Sequence, residues 1–224
     1  QACRKRIHWI CSQAKGKKVL DIGCSQGIVC LILGREGFDC VGIDIEEQSI
    51  DYANSELKKE SKVVQGKVKF VIGDASNLPY DDNTFDTVIM GEIIEHITNP
   101  KIILSEAKRV LKKNGRAILT TPFGLNPHHD HKHTFYPLSF LELVQQFFRT
   151  EHIDTADNYF RYCGIKDPLY NPQNISKELL LEDYKRLMRK LEERCEAKET
   201  ELFEKATNLY ERINKLTDQS QILK

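Results

Sequence analysis

The stretch VLDIGCSQG, residues 19–27, is an apolar run that passes directly into a turn with two glycines. A second apolar segment, which begins at Ile28, follows the turn. A strand, a glycine turn and a helix in this order are typical of the first unit of a parallel sheet covered by helices. Gly23 and Gly27 permit a tight turn and a close approach of the backbone to a ligand. The stretch therefore predicts a doubly wound α/β fold with a binding site at this turn.

The same texture continues from Lys17 to about Thr150, where short β-branched runs alternate with longer amphipathic segments. Such alternation predicts a Rossmann-like, mostly parallel sheet with helices on both faces. The predicted strands are Lys18–Ile22, Asp39–Ile43, Val68–Ile72, Thr84–Met90 and Arg116–Thr120. We assign residues 1–170 to this domain and residues 171–224 to a separate C-terminal segment.

The C-terminal segment is highly charged and contains no Gly or Pro after Pro172. Its apolar residues recur at steps of three and four: Leu180, Tyr184, Leu187, Leu191, Leu202, Ala206, Leu209, Ile213 and Leu216. This spacing predicts one long amphipathic helix from about Asn174 to Leu223, with an irregularity near Cys195. We expect a coiled coil, formed by self-association or with a fused or partner segment. The alternative is a helix that folds back on the domain.

Composition narrows the classes of partner and compartment. The 224 residues include 33 basic and 33 acidic side chains, so no overall basic field favours nucleic acid or an anionic membrane. The hydrophobic content of 40% is sufficient for a core. The seven cysteines form no CxxC pair, and no signal peptide or apolar run of membrane-spanning length occurs. We therefore expect a cytoplasmic protein with reduced thiols and no membrane insertion.

Three acidic residues mark the carboxyl ends of the first three predicted strands: Asp21, Asp44 and Asp74. In a doubly wound sheet these ends converge on the crevice where ligands bind. A carboxylate at the end of the second strand, here Asp44, can accept hydrogen bonds from both hydroxyls of a ribose. Asp21 disfavours a phosphate and favours a cationic amine. The sequence therefore predicts a ligand that carries a ribose and a positive charge.

In these motifs the chain resembles the class I S-adenosylmethionine-dependent methyltransferases, of the type 11-like group. The resemblance covers roughly Lys17 to Arg161 and is carried by DIGCSQG, GIDI, GDASNLPYDDNTFDTVIM and RVLKKNGRAILTTP. It implies S-adenosylmethionine as the cofactor, with the first motif around its methionine part, Asp44 at its ribose, and Asp74 with Ala75 at its adenine. The full set of implied cofactor residues is Asp21, Gly23, Cys24, Ser25, Gly27, Asp44, Ile45, Asp74, Ala75 and Gly91. Ser25 is a departure, since many members have a glycine there.

A second group of polar residues follows the fourth predicted strand, in GEIIEHI, residues 91–97. If this stretch begins a helix, Glu92, Glu95 and His96 share one helix face at the carboxyl edge of the sheet. Two carboxylates and an imidazole are three quarters of a metal site. The stretch HHDHKH, residues 128–133, holds four of the seven histidines and follows the fifth predicted strand at the same edge. A histidine from it can complete the site.

The ExxEH stretch and the later Asp-His-Lys are similar to motifs of the small-RNA 3′-terminal 2′-O-methyltransferases. That similarity implies four ligands for Mg²⁺ or Mn²⁺: Glu92, Glu95, His96 and His131. It also places Phe140 at the position of a downstream aromatic residue. Where that family continues with Phe-Glu-Trp, this chain has His133, Thr134 and Phe135. The alternative is an ExxEH without metal, as in many class I members, with the acid near the cofactor and the histidine packed against the sheet.

These residues indicate a reaction at a hydroxyl group. An alcohol must lose a proton to accept a methyl group, and the candidates for the general base are His96, His129, His131 and His133. The leading hypothesis is O-methylation of a sugar-containing acceptor, either a glycan or an RNA 3′-end, with metal assistance as one variant. A small-molecule C- or N-methyltransferase is the enzymatic alternative. A different class of hypothesis is an inactive methyltransferase-like module that scaffolds a larger enzyme through the coiled coil.

Overall fold

The computed structural model describes residues 2–124, 128–172 and 177–222, without the side chains of residues 177–180, 186, 190, 194, 206 and 209–222. The chain divides into two compact units, Gln1–Tyr184 and Lys185–Lys224. The helices are α1 (Ala2–Gln13), α2 (Ile28–Arg35), α3 (Glu47–Leu57), α4 (Lys62–Gln65), α5 (Pro100–Val110), α6 (Pro137–Val144) and α7 (Lys177–Ile222). The strands are β1 (Lys18–Ile22), β2 (Asp39–Asp44), β3 (Val68–Ile72), β4 (Phe85–Gly91), β5 (Leu111–Pro122), β6 (Arg149–Ala156) and β7 (Tyr159–Ile165).

One seven-stranded sheet has the order β3-β2-β1-β4-β5-β7-β6. Strands β1 to β5 pair in parallel, whereas β7 is antiparallel to both β5 and β6. The predicted doubly wound, mostly parallel sheet is thus confirmed, and its five predicted strands correspond to β1–β5. The β6–β7 hairpin was not predicted. The strand order reverses between β1 and β4, and the carboxyl ends of strands beside such a reversal form a binding crevice.

Burial of the central strands on both faces explains their continuous apolar sequences. Val19, Leu20 and Ile22 of β1 are fully buried. Helix α5 covers one face with Ile103 and Leu104, which are also buried. The apolar core therefore holds the carboxyl ends of β1 to β4 in fixed positions at one edge of the sheet.

The predicted helix start at Glu92 is wrong. Glu92 has a left-handed backbone with φ of 56°, its N–H donates to the Thr120 carbonyl over 2.9 Å, and the following residues form a turn. The next helix, α5, begins only at Pro100, where the Asn99 side chain accepts a hydrogen bond from Lys101 N. An N-capping asparagine followed by proline is a strong start signal for a helix. The ligating side chains of residues 92–96 therefore do not share a helix face.

The long C-terminal helix is present as α7, with 46 residues and a length of about 70 Å at the usual rise. The predicted end points Asn174 and Leu223 lie outside the described residues. So do the side chains of five predicted stripe residues: Leu180, Ala206, Leu209, Ile213 and Leu216. Within the described residues, no helix is both long and apolar enough to cross a membrane.

Candidate active site

A cleft of about 870 Å³ opens at the carboxyl edge of the sheet. One wall, here called the strand-end half, consists of the turns that follow β1, β2 and β3. The other wall, the loop half, consists of the turn at residues 92–98 together with the loop at residues 128–133. Six of the predicted cofactor residues line the strand-end half: Gly23, Ser25, Asp44, Ile45, Asp74 and Ala75.

The first turn has no space for a side chain at its leading glycine. Gly23 has φ of 71°, and a Cβ atom there would lie 2.6 Å from Cδ1 of Ile93. The N–H groups of Gly23 and Cys24 both donate to the Ile43 carbonyl, at 2.8 and 3.1 Å. The turn is therefore fixed to β2, and its backbone is open to a bound molecule.

Asp44 connects two turns of the strand-end half. Its Oδ2 accepts a 2.7 Å hydrogen bond from Ser25 N, and its Oδ1 accepts one of 3.0 Å from Glu46 N. Each carboxylate oxygen has further acceptor capacity. The side chain lines the cleft, beside Ile45, which is 75% exposed. Asp44 is thus held in one position with lone pairs available to a ligand.

Asp74 is held by its own turn. Its carboxylate accepts hydrogen bonds from Ser76 N at 2.8 Å and from Ser76 Oγ at 2.6 Å. These bonds hold the pKa of Asp74 below its ordinary value. The residue is therefore charged at neutral pH, and it places a second carboxylate at the mouth of the cleft.

Four predicted cofactor residues do not line the cleft: Asp21, Cys24, Gly27 and Gly91. Asp21 is only 4% exposed, and burial raises its pKa to about 7, although the Cys30 thiol donates to it over 3.8 Å. The buried Cys24 side chain packs against Gly42, and Phe70 packs against Gly27. Gly27 has φ of 78° and caps helix α2. These contacts set the course of the turn.

Backbone hydrogen bonds join the two segments of the loop half. The Glu95 carbonyl accepts from the N–H groups of Lys132 and His133, at 2.7 and 3.1 Å. The His133 Nε2 lies 3.2 Å from the Thr98 carbonyl oxygen. The histidine-rich stretch is therefore fixed against the turn at residues 92–98, and its Asp130 lines the cleft.

Three of the four predicted metal ligands come together. Glu95, His96 and His131 each offer a ligand atom within 4.8 Å of the others. Glu95 is 1% exposed, and its Oε2 accepts a 2.9 Å hydrogen bond from Thr121, for which no local sequence pattern is a signal. Its Oε1 has no hydrogen-bond partner among the described residues and lies 4.0 Å from His96 Nε2.

This arrangement fits a divalent cation. A buried carboxylate oxygen without a partner is costly, and a cation between it and two imidazoles removes that cost. Burial raises the pKa of Glu95, and the nearby imidazoles partly offset the rise. A second, fully exposed group of potential ligands consists of His128, His129 and Asp130.

Glu92, the fourth predicted ligand, has a different partner. It forms a 3.0 Å ion pair with Arg6 of α1, and it belongs to neither of the two ligand groups found among the described residues. Burial raises its pKa to about 8, and the Arg6 guanidinium partly offsets the rise. Sequence reasoning did not connect α1 with this site, because no local pattern marks Arg6 as a partner of Glu92.

A family model for a methyltransferase domain matches residues 20–119. Over 97 residues the chain is 38% identical to norajmaline N-methyltransferase of Rauvolfia serpentina. This match covers 43% of this chain and 32% of that protein. Over 108 residues it is 33% identical to the mitochondrial ubiquinone biosynthesis O-methyltransferase of Schizosaccharomyces pombe, with 47% and 38% covered. Over 117 residues it is 34% identical to demethylmenaquinone methyltransferase of Staphylococcus aureus, with 51% and 47% covered. The chain thus spans about a third to a half of these relatives.

Solved structures share the fold over a larger part of the chain. The PH0226 protein of Pyrococcus horikoshii has a TM-score of 0.62 and 25% identity, and the match covers 74% of this chain and 91% of that one. An S-adenosylmethionine-dependent methyltransferase of Methanosarcina mazei has a TM-score of 0.60 and 22% identity, with 71% and 97% covered. Residues 20–119 are thus similar in sequence to a methyltransferase domain, and the sheet shares its fold with an S-adenosylmethionine-dependent methyltransferase.

Proposed function

We propose that this domain binds S-adenosylmethionine and directs methylation of a hydroxyl group on a sugar-containing acceptor. The observation that carries the proposal is the Asp44 carboxylate, which lines the cleft while the backbone N–H groups of Ser25 and Glu46 hold both of its oxygens. The cleft volume of about 870 Å³ is of the size of known ligand sites. S-adenosylmethionine supplies an electrophilic methyl group on a sulfonium centre.

The strand-end half offers a place for each part of this cofactor. Asp44 accepts hydrogen bonds from the ribose hydroxyls, while Asp74, Ala75 and Ile45 border the adenine. The backbone of the turn at residues 23–25 borders the methionine part, with the buried Asp21 carboxylate behind it favouring a cationic ligand. Cys24, Gly27 and Gly91 shape these turns and do not face the ligand.

On the loop half, we propose that Glu95, His96 and His131 hold one divalent ion. Three protein ligands leave coordination positions for an acceptor such as a vicinal diol. A bound ion lowers the pKa of a coordinated hydroxyl. Because Glu92 is paired with Arg6, the set has one carboxylate and two imidazoles, which favours Mn²⁺ over Mg²⁺.

Without a metal, the same residues provide a general base. His96 and His131 lie together beside the cleft, with ring centroids 4.9 Å apart, and His133 is fixed to the turn by Thr98. His129 is 83% exposed and hydrogen-bonded to Asp130, so it is a weaker candidate. In either form, imidazoles beside a buried carboxylate support an acceptor that must lose a proton.

The names of the relatives favour a second candidate, a small-molecule methyltransferase, and they specify an N-methyltransferase in one case and an O-methyltransferase in another. One relative is named for N-methylation of norajmaline, and two others for steps in quinone biosynthesis or for demethylmenaquinone. The assay for both candidates measures transfer of a radiolabelled methyl group from S-adenosylmethionine to glycans, RNA 3′-ends, quinols and amines, with Mn²⁺ or with a chelator. Labelling of sugar hydroxyls that the chelator abolishes supports the proposal. Labelling of amines or quinols alone rejects the sugar-containing acceptor. Labelling that the chelator does not affect rejects the metal.

We also propose that α7 pairs with a second copy or a partner segment as a coiled coil. Leu202 and Phe203 are 55% and 74% exposed, and an isolated helix of this length leaves such apolar residues in water. Asp183 accepts a 3.0 Å hydrogen bond from Gln145, so a truncated control should retain residues 1–184. Sedimentation should then show self-association of the full chain and not of the control. If the full chain and the control are both monomeric at micromolar concentration, self-association through α7 is rejected.

The state of the cysteines supports a reducing compartment, for which we propose the cytoplasm. All seven are unpaired thiols. Burial raises the pKa of Cys11 to about 12 and keeps the pKa values of Cys24 and Cys163 well above the ordinary range. Such thiols are unreactive core residues.

A further inference from the structure

A concentration of positive charge lies outside the cleft, between α1 and β7. Four side chains line a cavity of about 470 Å³ there: Arg4, Lys5, His8 and Arg161. Arginine and lysine are charged at neutral pH, and the imidazole gains a charge when protonated. No acidic residue of the described chain lines this cavity. In a chain with zero net charge, this cavity thus has a lining of basic side chains without an acidic one.

Nearby acidic residues neutralise this basic cavity only weakly. Asp157 lies 3.9 Å from Lys5, at the outer limit of an ion pair between exposed groups. The carboxylate of Glu92 is engaged by Arg6, and Asp154, which is in register with Arg161 across the β6–β7 pair, contacts His152 at 3.0 Å. The buried Nε–H of Arg161 is a donor that has no hydrogen-bond partner among the described residues. The basic side chains of the cavity are therefore available to an anionic group of a ligand.

The basic cavity lies on the same edge of the sheet as the cleft. Arg161 of β7 is in register with Thr120 of β5, which is in register with Gly91 at the end of β4. Neighbouring strands are about 4.8 Å apart, so Arg161 is about 10 Å from the end of β4. Arg6 lies on the same helix as Arg4 and Lys5, and it contacts Glu92 in the cleft wall. A ligand of moderate length can reach both places.

We propose that this cavity binds a phosphate group of the acceptor, and that the acceptor is a phosphorylated sugar. The inference rests on the proposed O-methylation, since it assigns the chemical class of the acceptor for that same site. Four basic side chains match one or two phosphates, because each charge-assisted contact uses one or two donors. A long polyanion requires an extended basic surface, which the neutral overall charge does not favour.

The only tryptophan of the chain reports on this cavity. The guanidinium of Arg161 lies over the Trp9 ring, 5.6 Å from its centroid. Binding of an anion by Arg161 changes the charge next to the indole, and with it the intrinsic fluorescence. Trp9 therefore allows a direct titration that requires neither S-adenosylmethionine nor methyl transfer.

The experiment titrates glucose 6-phosphate into the full chain at constant ionic strength and records Trp9 fluorescence, with glucose as the neutral control. We expect a saturable change with the phosphate ester alone, weakened at least about tenfold in Lys5→Gln and in Arg161→Gln. The matched controls are Lys113→Gln and Arg149→Gln, which remove the same types of charge at the opposite edge of the sheet. Both should bind as the wild type does. Thermal unfolding of each variant verifies that it is folded.

Three outcomes overturn the proposal: no saturable change in the wild type, an equal loss in all four variants, or an equal response to glucose. Much tighter binding of a single-stranded RNA oligonucleotide, with a steep salt dependence, also overturns it in favour of a polyanion. Failure of the methyltransferase function does not affect the titration, because the cofactor is absent from it. The two proposals therefore fail separately.

Discussion

The two walls of the cleft differ in how their charged groups are satisfied. In the strand-end half, Asp44 and Asp74 each accept two hydrogen bonds, those of Asp44 from Ser25 and Glu46 and those of Asp74 from Ser76. In the loop half, Glu95 is buried with one carboxylate oxygen unpartnered among the described residues. The first wall is thus complete before a ligand binds, whereas the second has a group that a ligand can satisfy.

This difference separates recognition from chemistry. Preorganised acceptors bind a cofactor without reorganisation. A buried carboxylate beside two imidazoles has a strong interaction left to make with a cation or a proton. We therefore assign cofactor binding to the strand-end half and activation of the acceptor to the loop half.

The largest expected effect is at Glu95. Glu95→Gln keeps the shape of the side chain and removes the negative charge that faces His96. Since loss of groups that only support a metal ligand costs 10–100-fold, loss of the ligand itself should reduce Mn²⁺-dependent activity at least about 100-fold. Calorimetric titration with Mn²⁺ should show the same loss in affinity.

Glu92→Gln is the matched control for that experiment. The sequence resemblance implies four ligands including Glu92, whereas the structure pairs Glu92 with Arg6 and predicts unchanged Mn²⁺ affinity. Equal loss in both variants would restore the four-ligand arrangement. Full activity of Glu95→Gln, or of the wild type after exhaustive chelation, would show that the reaction does not require a metal.

A smaller effect is expected at Asp44. Asp44→Asn removes the charge and presents an amide NH₂ to a backbone donor, Ser25 N or Glu46 N. Affinity for S-adenosylmethionine should fall by about 1–3 kcal/mol. The control is Asp39→Asn at the start of the same strand, where the carboxylate pairs with Lys67. Equal affinities of the two variants would contradict the assignment of Asp44.

The residues of the strand-end half could be brought together from the sequence because each follows directly from a local motif, while their role in cofactor binding stays a prediction. Asp44 and Asp74 come at the ends of strands, and the parallel sheet brings strand ends together whatever the remaining sequence is. Other predicted cofactor residues, such as Cys24, do not line the cleft because their side chains have a different direction. In a tight turn, spacing alone does not determine that direction.

The loop half was predicted only in part. Its ligands depend on the hydrogen bonds between Glu95 and the loop at residues 128–133, which are distant in sequence. The helical spacing assumed at Glu92 failed because the helix start signal lies later, at Asn99 and Pro100. The β6–β7 hairpin was not predicted, because an alternation of strands and helices indicates parallel strands and gives no signal for an antiparallel pair.

The smallest expected effect concerns Asp21, a carboxyl behind the strand-end half that no backbone N–H holds. Its pKa is raised from 3.8 to about 7 by burial, so the folded state binds its proton more tightly than the unfolded state. The stabilisation is fully present below the unfolded pKa and is lost as pH rises through 7. Between pH 6 and pH 7 the free energy of unfolding should fall by about 1 kcal/mol more in the wild type than in Asp21→Asn. Chemical denaturation of both proteins checks this, and parallel pH profiles would show that Asp21 does not titrate in this range.

The proposed binding of S-adenosylmethionine to the strand-end half can be tested without an acceptor. Isothermal titration calorimetry of the full chain measures it directly, with S-adenosylmethionine as the ligand and adenosine monophosphate as a competitor that carries phosphate in place of the cationic methionine. We predict one binding event per chain that adenosine monophosphate does not displace at equal concentration. Absence of binding at millimolar S-adenosylmethionine, or equal binding of the two compounds, would contradict the account.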